Sequence, residues 1–308
     1  MIGVFGASGF IGRNLVSYYE SQGVSVKSFV RSAKGLLSDD SVIMDFKDPD
    51  SYVPHLKNLT DVVLLVSASN PGTFSKDANA ELVNNVLPYS QFIQTLSETN
   101  IRRVVYLSSG GAVYGVPKTE GDNGIDETHE TVPISPYGLG KLLIEQLFKF
   151  HAQGSDWSYT ILRPSNPVGV GQSAAKGQGL IAKAIDVGLK QETLEIWGDG
   201  SALRDYFDVN DLCVAVQTVL RLKTDSVKNK VFNVSGGNPL SVNQVVNLVE
   251  DALGHKIDTS YRKNRSVDVP NINIDAARLK DVTGWSSTSN LSVVIENMVD
   301  VRRADLNL

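Results

Sequence analysis

Short runs of apolar residues alternate with amphipathic segments through the first half of the chain. The apolar runs predict β-strands at residues 2–5, 24–30, 42–44, 62–67, 104–108 and 159–163. Between them, helical periodicity predicts helices near residues 13–21, 51–58, 77–99 and 136–151. A run that is apolar at every position, such as 62–66, suits a sheet covered on both faces, and regular alternation with helices implies parallel strands. The pattern predicts an α/β fold built on a doubly wound parallel sheet.

The residue composition of the chain changes after residue 164. Loops rich in glycine, asparagine and aspartate follow, with shorter helices predicted at 179–190 and 241–252. A helix predicted at 208–222 is expected to return to the sheet. We therefore expect a first lobe of residues 1–164 with about 207–231, and a smaller C-terminal lobe of 165–206 and 232–308.

Composition narrows the class of protein further. The 308 residues are 42% hydrophobic and 20% charged, which is enough apolar material for a core and excludes a disordered chain. A formal charge of −5 gives no reason to expect nucleic acid as a partner. Cys213 is the one cysteine, so no intrachain disulfide forms, and we expect a small buried side chain there.

The rest of the composition predicts neither a metal site nor a membrane partner. The histidines lie in scattered polar segments without ligand spacing, at His55, His129, His151 and His255. Residues 1–5 run directly into a glycine-rich turn, which leaves no room for a signal peptide. No apolar run approaches the roughly 20 residues that cross a bilayer. We therefore expect a cytoplasmic protein.

A glycine-rich turn follows the first predicted strand and opens a helix. Gly6, Gly9 and Gly12 have the spacing GxxGxxG, with Ser8, Phe10 and Ile11 between them. Gly6 allows a tight turn, Gly9 leaves room beside a pyrophosphate, and Gly12 lets the helix pack closely on the sheet. In this position the motif predicts a dinucleotide site in a Rossmann-type fold, so the first lobe is the expected dinucleotide-binding domain.

The nature of the dinucleotide depends on the end of the second strand. An NAD-selective site usually has a carboxylate there for the ribose 2′-hydroxyl, whereas this chain has Arg31. Arginine can pair with a 2′-phosphate, so we lean towards NADP over NAD; the alternative is a solvated surface arginine. Asp45 either faces the adenine or caps a turn. The remaining candidate cofactor contacts are Phe46, Ser67 and Ala68.

A tyrosine and a lysine lie at the start of the helix predicted at 136–151. Ser135 is a plausible cap, Pro136 suits the first turn, and Tyr137 and Lys141 are four residues apart on one helical face. A nearby ammonium favours phenolate, so we expect the pKa of Tyr137 to fall below its usual value of ~10. Tyr137 is then a candidate general base for a hydroxyl group, or an acid for a ketone.

With these motifs the chain resembles the extended short-chain dehydrogenase/reductases, specifically the NAD-dependent epimerase/dehydratase group, over essentially its whole length. The glycine turn, the Tyr137–Lys141 pair and the segment 107–115 carry the resemblance. The family's usual catalytic Ser/Thr position holds Gly110, and Ala112 replaces a residue that is threonine in many UDP-galactose epimerases. Either Ser109 or Ser108 supplies the missing hydroxyl, or both serines only satisfy backbone groups at a strand end.

Three later segments are similar to the family's contacts with nucleotide sugars. They are residues 163–169, 197–206 and 265–268. The resemblance implies that Asn166 and Arg204 bind the diphosphate of the substrate. It also implies that Arg265 and Asp268 bind the nucleoside diphosphate, with Asp268 on a ribose. Planar arginine donors from separate loops suit a diphosphate, and these segments make the second lobe the expected substrate-binding lobe.

The resemblance implies an enzyme that acts at C4 of a nucleotide-linked sugar through a 4-keto intermediate, with a UDP-hexose 4-epimerase as the preferred interpretation. Tyr137 then takes the proton of the 4-hydroxyl, and Lys141 binds the nicotinamide ribose. Two alternatives stay open. Arg31 favours an NADPH-dependent reductase of 4-keto-6-deoxy nucleotide sugars, and Gly110 favours a non-catalytic NAD(P)-sensing protein. The family also suggests a homodimer through helices 77–99 and 136–151.

Overall fold

The strands of the protein form one large sheet and two smaller ones. The computed structural model describes residues 1–38, 40–70, 77–116, 124–174, 179–222, 225–263 and 271–307. In these residues the strands, in chain order, are β1 (Ile2–Phe5), β2 (Val26–Val30), β3 (Val42–Ile43), β4 (Asp61–Leu64), β5 (Arg103–Leu107), β6 (Ser158–Pro164), β7 (Asn166–Val168), β8 (Leu194–Trp197), β9 (Leu203–Asp208), β10 (Lys230–Val234), β11 (Pro239–Ser241), β12 (Thr259–Arg262) and β13 (Asn271–Ile272).

Helices connect most of these strands. In chain order they are α1 (Phe10–Ser21), α2 (Ala78–Glu81), α3 (Leu87–Thr95), α4 (Gly110–Val113), α5 (Pro136–His151), α6 (Leu180–Leu189), α7 (Val209–Arg221), α8 (Val242–Leu253), α9 (Ala277–Thr283) and α10 (Leu291–Leu306). No helix in the described ranges is both long enough and apolar enough to cross a membrane.

The large sheet has the order β10-β6-β5-β4-β1-β2-β3, and each neighbouring pair is parallel. The chain runs outward from β1 through β2 to β3, then crosses to β4 and runs the other way. Two apolar layers cover the sheet: one includes side chains of α3 and α5, the other side chains of α1 and α7. The predicted doubly wound parallel sheet is therefore confirmed. Its order reverses between β1 and β4, where such sheets form a crevice at the carboxyl ends of the strands.

The boundary between the lobes differs in detail from the predicted one. Strand β10 pairs with β6 over its whole length, so the large sheet includes residues up to Val234, beyond the expected change at 231–232. The second lobe contains β7 paired with β9, β9 with β11 and β13, and β8 with β12. Helices α6, α8 and α10 enclose its separate apolar core.

The helix predicted at 51–58 is wrong. The chain instead forms two short 3₁₀ turns, Pro49–Ser51 and Val53–His55. Proline lacks the amide that a continuing helix needs, and its ring clashes with the preceding turn, so Pro54 prevents an α-helix through this segment. The helix predicted at 77–99 exists, but a π-helical turn at Leu82–Val86 interrupts it between α2 and α3.

Cys213 lies on α7 within the apolar layer that this helix shares with α1. Its side chain is fully buried, as expected, and burial raises the pKa of the thiol to about 12. The thiol is therefore protonated near neutral pH and packs as a small apolar group.

Candidate active site

The glycine turn lies between β1 and α1, at the point where the strand order reverses. Gly6 has a φ of +82°, and a Cβ there would lie 3.1 Å from the backbone of Leu65. Gly12 is buried, and a Cβ would overlap the carbonyl of Gly6, so α1 packs directly on the turn. Gly9 is exposed and is the N-cap residue of α1. The turn therefore needs glycine at Gly6 and Gly12, as the sequence argument predicted.

The first amides of α1 are open to a ligand on this side. Gly9 has no side chain to cap them, and the first turn contains no acidic residue. Ser8, Phe10 and Ile11 are half-buried around the turn. A Cβ on Gly35, in the segment after β2, would lie 2.7 Å from the Cβ of Ser8, so this segment closes against the glycine turn. An uncapped helix start with this shape suits an anion such as a pyrophosphate.

Arg31 and Asp45 lie after β2 and β3, and both are exposed. The Asp45 carboxylate accepts a hydrogen bond from the amide of Lys47 at 3.0 Å, which is the turn-capping alternative. The ring of Phe46 is packed among other aromatic rings, including Tyr52, and is only 6% exposed. The Phe46 side chain is therefore part of the core, so a ligand at this residue would contact its backbone.

Ser67 and Ala68 follow β4, beside the glycine turn. Both are exposed. The hydroxyl of Ser67 donates to the carbonyl of Ser69 at 2.7 Å, and the amide of Ala68 donates to Oδ1 of Asn85 at 2.8 Å. We refer to residues 67–69 as the β4 loop. Asn85, which lies in the π-helical turn, fixes the position of this loop at the edge of the crevice.

Tyr137 and Lys141 lie in the first turns of α5. The hydroxyl of Ser135 accepts from the amide of Gly138 at 3.1 Å and caps the helix, as predicted. Lys141 is buried, donates to the carbonyl of Leu107 at 2.8 Å, and has its Nζ 5.7 Å from the ring centre of Tyr137. The pair therefore lies at the carboxyl end of β5. This strand is the neighbour of β4, which leads into the β4 loop.

The expected lowering of the pKa of Tyr137 is wrong in this structure. Burial raises the pKa of Tyr137 to about 12; a hydrogen bond from Ser109 opposes the rise and the charge of Glu81 adds to it. Burial also lowers the pKa of Lys141 to about 8, and the charges of Glu81 and Glu145 oppose this. The sequence argument counted the attraction between the two partners but not the cost of burying both charges.

Ser109, and not Ser108, is directed towards Tyr137. The side chain of Ser109 lowers the pKa of the phenol, against the larger effect of burial. Ser108 is buried and donates to Oε1 of Glu145 at 2.6 Å, and Glu145 is ion-paired with Arg163 at 2.6 Å. Of the two candidates, Ser109 is therefore the one whose side chain acts on the phenol.

Gly110 stands where the family has its usual hydroxyl. A Cβ at Gly110 would lie 3.1 Å from the carbonyl of Arg163 and 3.3 Å from that of Pro164. A serine at this position would therefore have to press against the end of β6.

The structure brings two of the predicted substrate contacts to neighbouring strands. Asn166 on β7 is half-buried and donates through Nδ2 to the carbonyl of Asp205 at 2.8 Å. Arg204 on β9 is half-buried and donates through Nη1 to the carbonyl of Leu203 at 2.7 Å. The two residues therefore lie on a pair of hydrogen-bonded strands, of which β7 begins directly after β6. Arg265 and Asp268 lie outside the described residues.

Sequence reasoning missed one charged residue beside the Tyr137–Lys141 pair. Glu81 ends α2, is 3% exposed, and its carboxylate lies against the backbone of α5 at Gly140. A glycine directly before Lys141 was the available signal. The described residues contain no cluster of histidine, cysteine or carboxylate groups that could hold a metal ion.

A seven-stranded parallel sheet with a glycine turn at its switch point defines a Rossmann-type nucleotide-binding protein. The chain belongs to the NAD-dependent epimerase/dehydratase family, whose model matches residues 2–235. This assignment confirms the resemblance found in the sequence.

Individual members of this family align with nearly the whole chain. The UDP-glucose 4-epimerase of Halalkalibacterium halodurans is 27% identical over 303 residues, covering 92% of this chain and 89% of the relative. The crystal structure of UDP-glucose 4-epimerase from Thermotoga maritima with UDP-glucose superposes with a TM-score of 0.90 at 25% identity, covering 99% of each chain. MoeE5 in complex with UDP-glucuronic acid and NAD superposes with a TM-score of 0.87 at 28% identity, again over 99% of each chain.

Proposed function

We propose that the protein is a UDP-hexose 4-epimerase that uses NAD. The observation that carries the proposal is the group formed by Ser109, Tyr137 and Lys141, which lies at the same sheet edge as the glycine turn. A phenol with a serine side chain and an ammonium beside it suits proton exchange with a sugar hydroxyl. Family membership and relatives named as UDP-glucose 4-epimerases support the same activity.

The residues around the crevice fit a dinucleotide. The uncapped start of α1 at Gly9 offers amides to a pyrophosphate, and the β4 loop and Lys141 lie where the nicotinamide half would reach. When bound, NAD would accept a hydride from C4 of the sugar and return it. We propose NAD over NADP because the family is described as NAD dependent and MoeE5 was solved with NAD. The preference for NADP, which rests on Arg31 alone, gains no support.

In this proposal the protein side chains move one proton out and back. Tyr137 takes the proton of the sugar 4-hydroxyl while C4 becomes a ketone, and it returns the proton to the same oxygen after the ring has presented its other face. Ser109 keeps the phenol and the sugar oxygen aligned for the proton transfer. Lys141 supplies the positive charge that favours phenolate, against a burial that raises the pKa of Tyr137 to about 12.

The second lobe is proposed to hold the nucleotide. Asn166 begins β7 directly after β6 ends, and Arg204 lies on β9, the strand that pairs with β7. Together with Arg265 and Asp268 they are assigned to the diphosphate and the ribose. Arginine is suited to this task because its planar donors match phosphate oxygens.

The test is interconversion of 4-epimers by the purified protein. UDP-galactose should yield UDP-glucose without net change in the reduced-nicotinamide absorbance, first with no added cofactor and then with added NAD. UDP-glucuronic acid and UDP-N-acetylglucosamine, assayed in parallel, show which sugar is preferred. Tyr137→Phe should bind NAD, measured as a rise in melting temperature, and lose turnover by about 10²- to 10⁴-fold.

Other outcomes would identify the alternatives. Consumption of NADPH with a 4-keto-6-deoxy nucleotide sugar, and no epimerisation, would identify a reductase. Binding of dinucleotide without conversion of any of these sugars, equally in wild type and Tyr137→Phe, would identify a sensing protein. Either outcome would overturn the proposed epimerase activity.

A further inference from the structure

Glu81 packs against α5, the helix that carries Tyr137 and Lys141. It is the last residue of α2, and its side chain is 3% exposed. A Cβ on Gly140 would overlap the carboxylate, so Glu81 contacts the backbone of α5 at that residue. Gly140 directly precedes Lys141 and lies three residues after Tyr137. The carboxylate is therefore packed beside the segment of helix that carries the catalytic pair.

The same carboxylate is linked to the proposed cofactor crevice. Oε1 of Glu81 accepts from Nδ2 of Asn85 at 2.9 Å, and Oδ1 of Asn85 accepts from the amide of Ala68 at 2.8 Å. Asn85 also donates to the hydroxyl of Ser69 at 3.0 Å. The β4 loop, the π-helical turn and helix α5 thus meet at one buried carboxyl group.

The charges that face Lys141 are few and come from two helices. Glu81 on α2 acts most strongly, followed by Glu145 on α5; the neighbouring groups are the phenols of Tyr137 and Tyr106. Glu145 is already paired with another cation, because it forms a buried ion pair with Arg163.

For Glu81, Lys141 is the cation that acts on it among the described residues. Burial raises the pKa of Glu81 itself, and the bonds from Ser69 and Asn85 and the charge of Lys141 oppose the rise. The carboxylate and the ammonium therefore depend on each other for their charged forms.

We propose that Glu81 is a positioning residue of the catalytic pair, which holds the side chain of Lys141 charged and facing Tyr137 and ties it through Asn85 to the β4 loop. The proposal deepens the proposed function and rests on it for the role of Lys141. Its physical basis is that a buried ammonium loses its proton unless an opposite charge compensates for the lost hydration.

The charge of Glu81 acts on the pKa values of both Lys141 and Tyr137, which makes the proposal testable. The negative charge that keeps Lys141 protonated also raises the pKa of Tyr137, so it opposes formation of the phenolate. Removing only the charge should therefore move two titrations in the same direction, each to lower pH. A purely structural role for Glu81 would lower stability without moving either one.

The direct test measures the titration of Lys141 without any turnover. Lysine labelled with ¹³C at Cε is incorporated, and the Lys141 resonance is assigned by its absence from Lys141→Arg. In wild type it should titrate near pH 8. In Glu81→Gln, which keeps the size and the acceptor for Asn85, the midpoint should fall by about one unit. Glu98→Gln, the same change at an exposed site, should leave it unchanged.

A second variant guards against loss of folding. Gly140→Ala keeps the carboxylate but displaces it from α5, and should also lower the midpoint of Lys141. Thermal unfolding establishes which variants are folded. An unchanged Lys141 midpoint in a folded Glu81→Gln protein, or in a folded Gly140→Ala protein if Glu81→Gln does not fold, would overturn the proposal.

The kinetic readout separates this inference from the proposed function. If wild type epimerises a UDP-hexose, the alkaline limb of kcat should shift to lower pH in Glu81→Gln, with little change in KM because the buried Glu81 side chain is only 3% exposed. Restoration of the limb by Glu81→Asp would support a role of charge. If wild type converts no sugar, the proposed function fails while the NMR titration still decides the role of Glu81.

Discussion

The side chain of Ser109 acts on the phenol of Tyr137 and lowers its pKa, against the larger effect of burial, although the residue at the family's usual catalytic hydroxyl position is Gly110. Ser109 directly precedes helix α4, whereas the hydroxyl of Ser108 donates to the buried carboxylate of Glu145. In the proposed function the hydroxyl is therefore supplied from one position earlier in the chain.

This relationship predicts opposite effects for two adjacent substitutions. Ser109→Ala should reduce kcat for epimerisation by about 10- to 100-fold with little effect on stability, since a half-exposed hydroxyl that acts on the reacting phenol is lost. Ser108→Ala should leave kcat nearly unchanged but cost about 1–3 kcal/mol of unfolding free energy, because Glu145 loses a buried donor. Urea unfolding and steady-state kinetics on both variants check this, and a reversed pattern would assign the catalytic hydroxyl to Ser108.

The depressed pKa of Lys141 predicts how stability depends on pH. The folded pKa is about 8 and the ordinary value is 10.5, so between these values the unfolded chain binds more protons than the folded one. Stability from this residue therefore rises as pH increases through that window. Between pH 7.5 and 9.5 the rise should be about 2 kcal/mol in wild type.

Lys141→Met should lack this rise. The measurement is the free energy of unfolding in urea at several pH values, compared as wild type minus Lys141→Met so that other titrating groups cancel. Equal pH dependence in both proteins would mean that Lys141 is not buried as a charge.

Close packing at Gly12 predicts a loss of both stability and cofactor binding. Gly12→Ala places a methyl group against the carbonyl of Gly6 and the backbone of Ala7, so α1 must move away from the turn. We expect a loss of about 1–3 kcal/mol of unfolding free energy and a smaller rise in melting temperature on addition of NAD. Ser17→Ala, on the exposed face of the same helix, is the control and should change neither quantity.

The homodimer stays a prediction, and it can be tested at exposed apolar side chains on the helices expected to pair. Leu87 on α3 is 53% exposed and Phe150 on α5 is 70% exposed. Burying such a side chain at an interface contributes about 1.5–3 kcal/mol, so the double variant Leu87→Ser/Phe150→Ser should weaken dimerisation at least about 10-fold. Sedimentation velocity measures this, with Ile43→Ser, which is 52% exposed on β3, as the matched control. A wild-type protein that sediments as a monomer at every concentration would contradict the prediction.

Much of the first lobe could be predicted because its signals are local. The apolar runs give the strands, and the glycine spacing and the cap at Ser135 give the turn and the start of α5. Strand β10, the seventh strand of the large sheet, was missed because Lys230–Val234 mixes polar and apolar residues and has no distinctive period. The π-helical turn before Pro88 leaves no clear mark in the pattern either.

The chemistry of the site was harder to predict than its location. The direction of the Ser108 and Ser109 side chains depends on the buried ion pair of Glu145 and Arg163, which joins residues 18 apart in the chain. The pKa of Tyr137 depends on how completely the site excludes water, and Glu81 becomes relevant only because α2 packs on α5. Such effects arise from contacts between distant segments, and no local motif encodes them.

The path of the chain between β6 and β10 limits how the crevice can open. After Pro164 the chain enters the second lobe, returns at Asp208, where β9 leads straight into α7, and leaves again after Val234. A swing of one half against the other must therefore bend the backbone at three separate crossings at once. Cutting the chain after Pro164 would also remove β10, an outer strand of the main sheet, so the first lobe cannot be obtained as one uninterrupted piece of the chain.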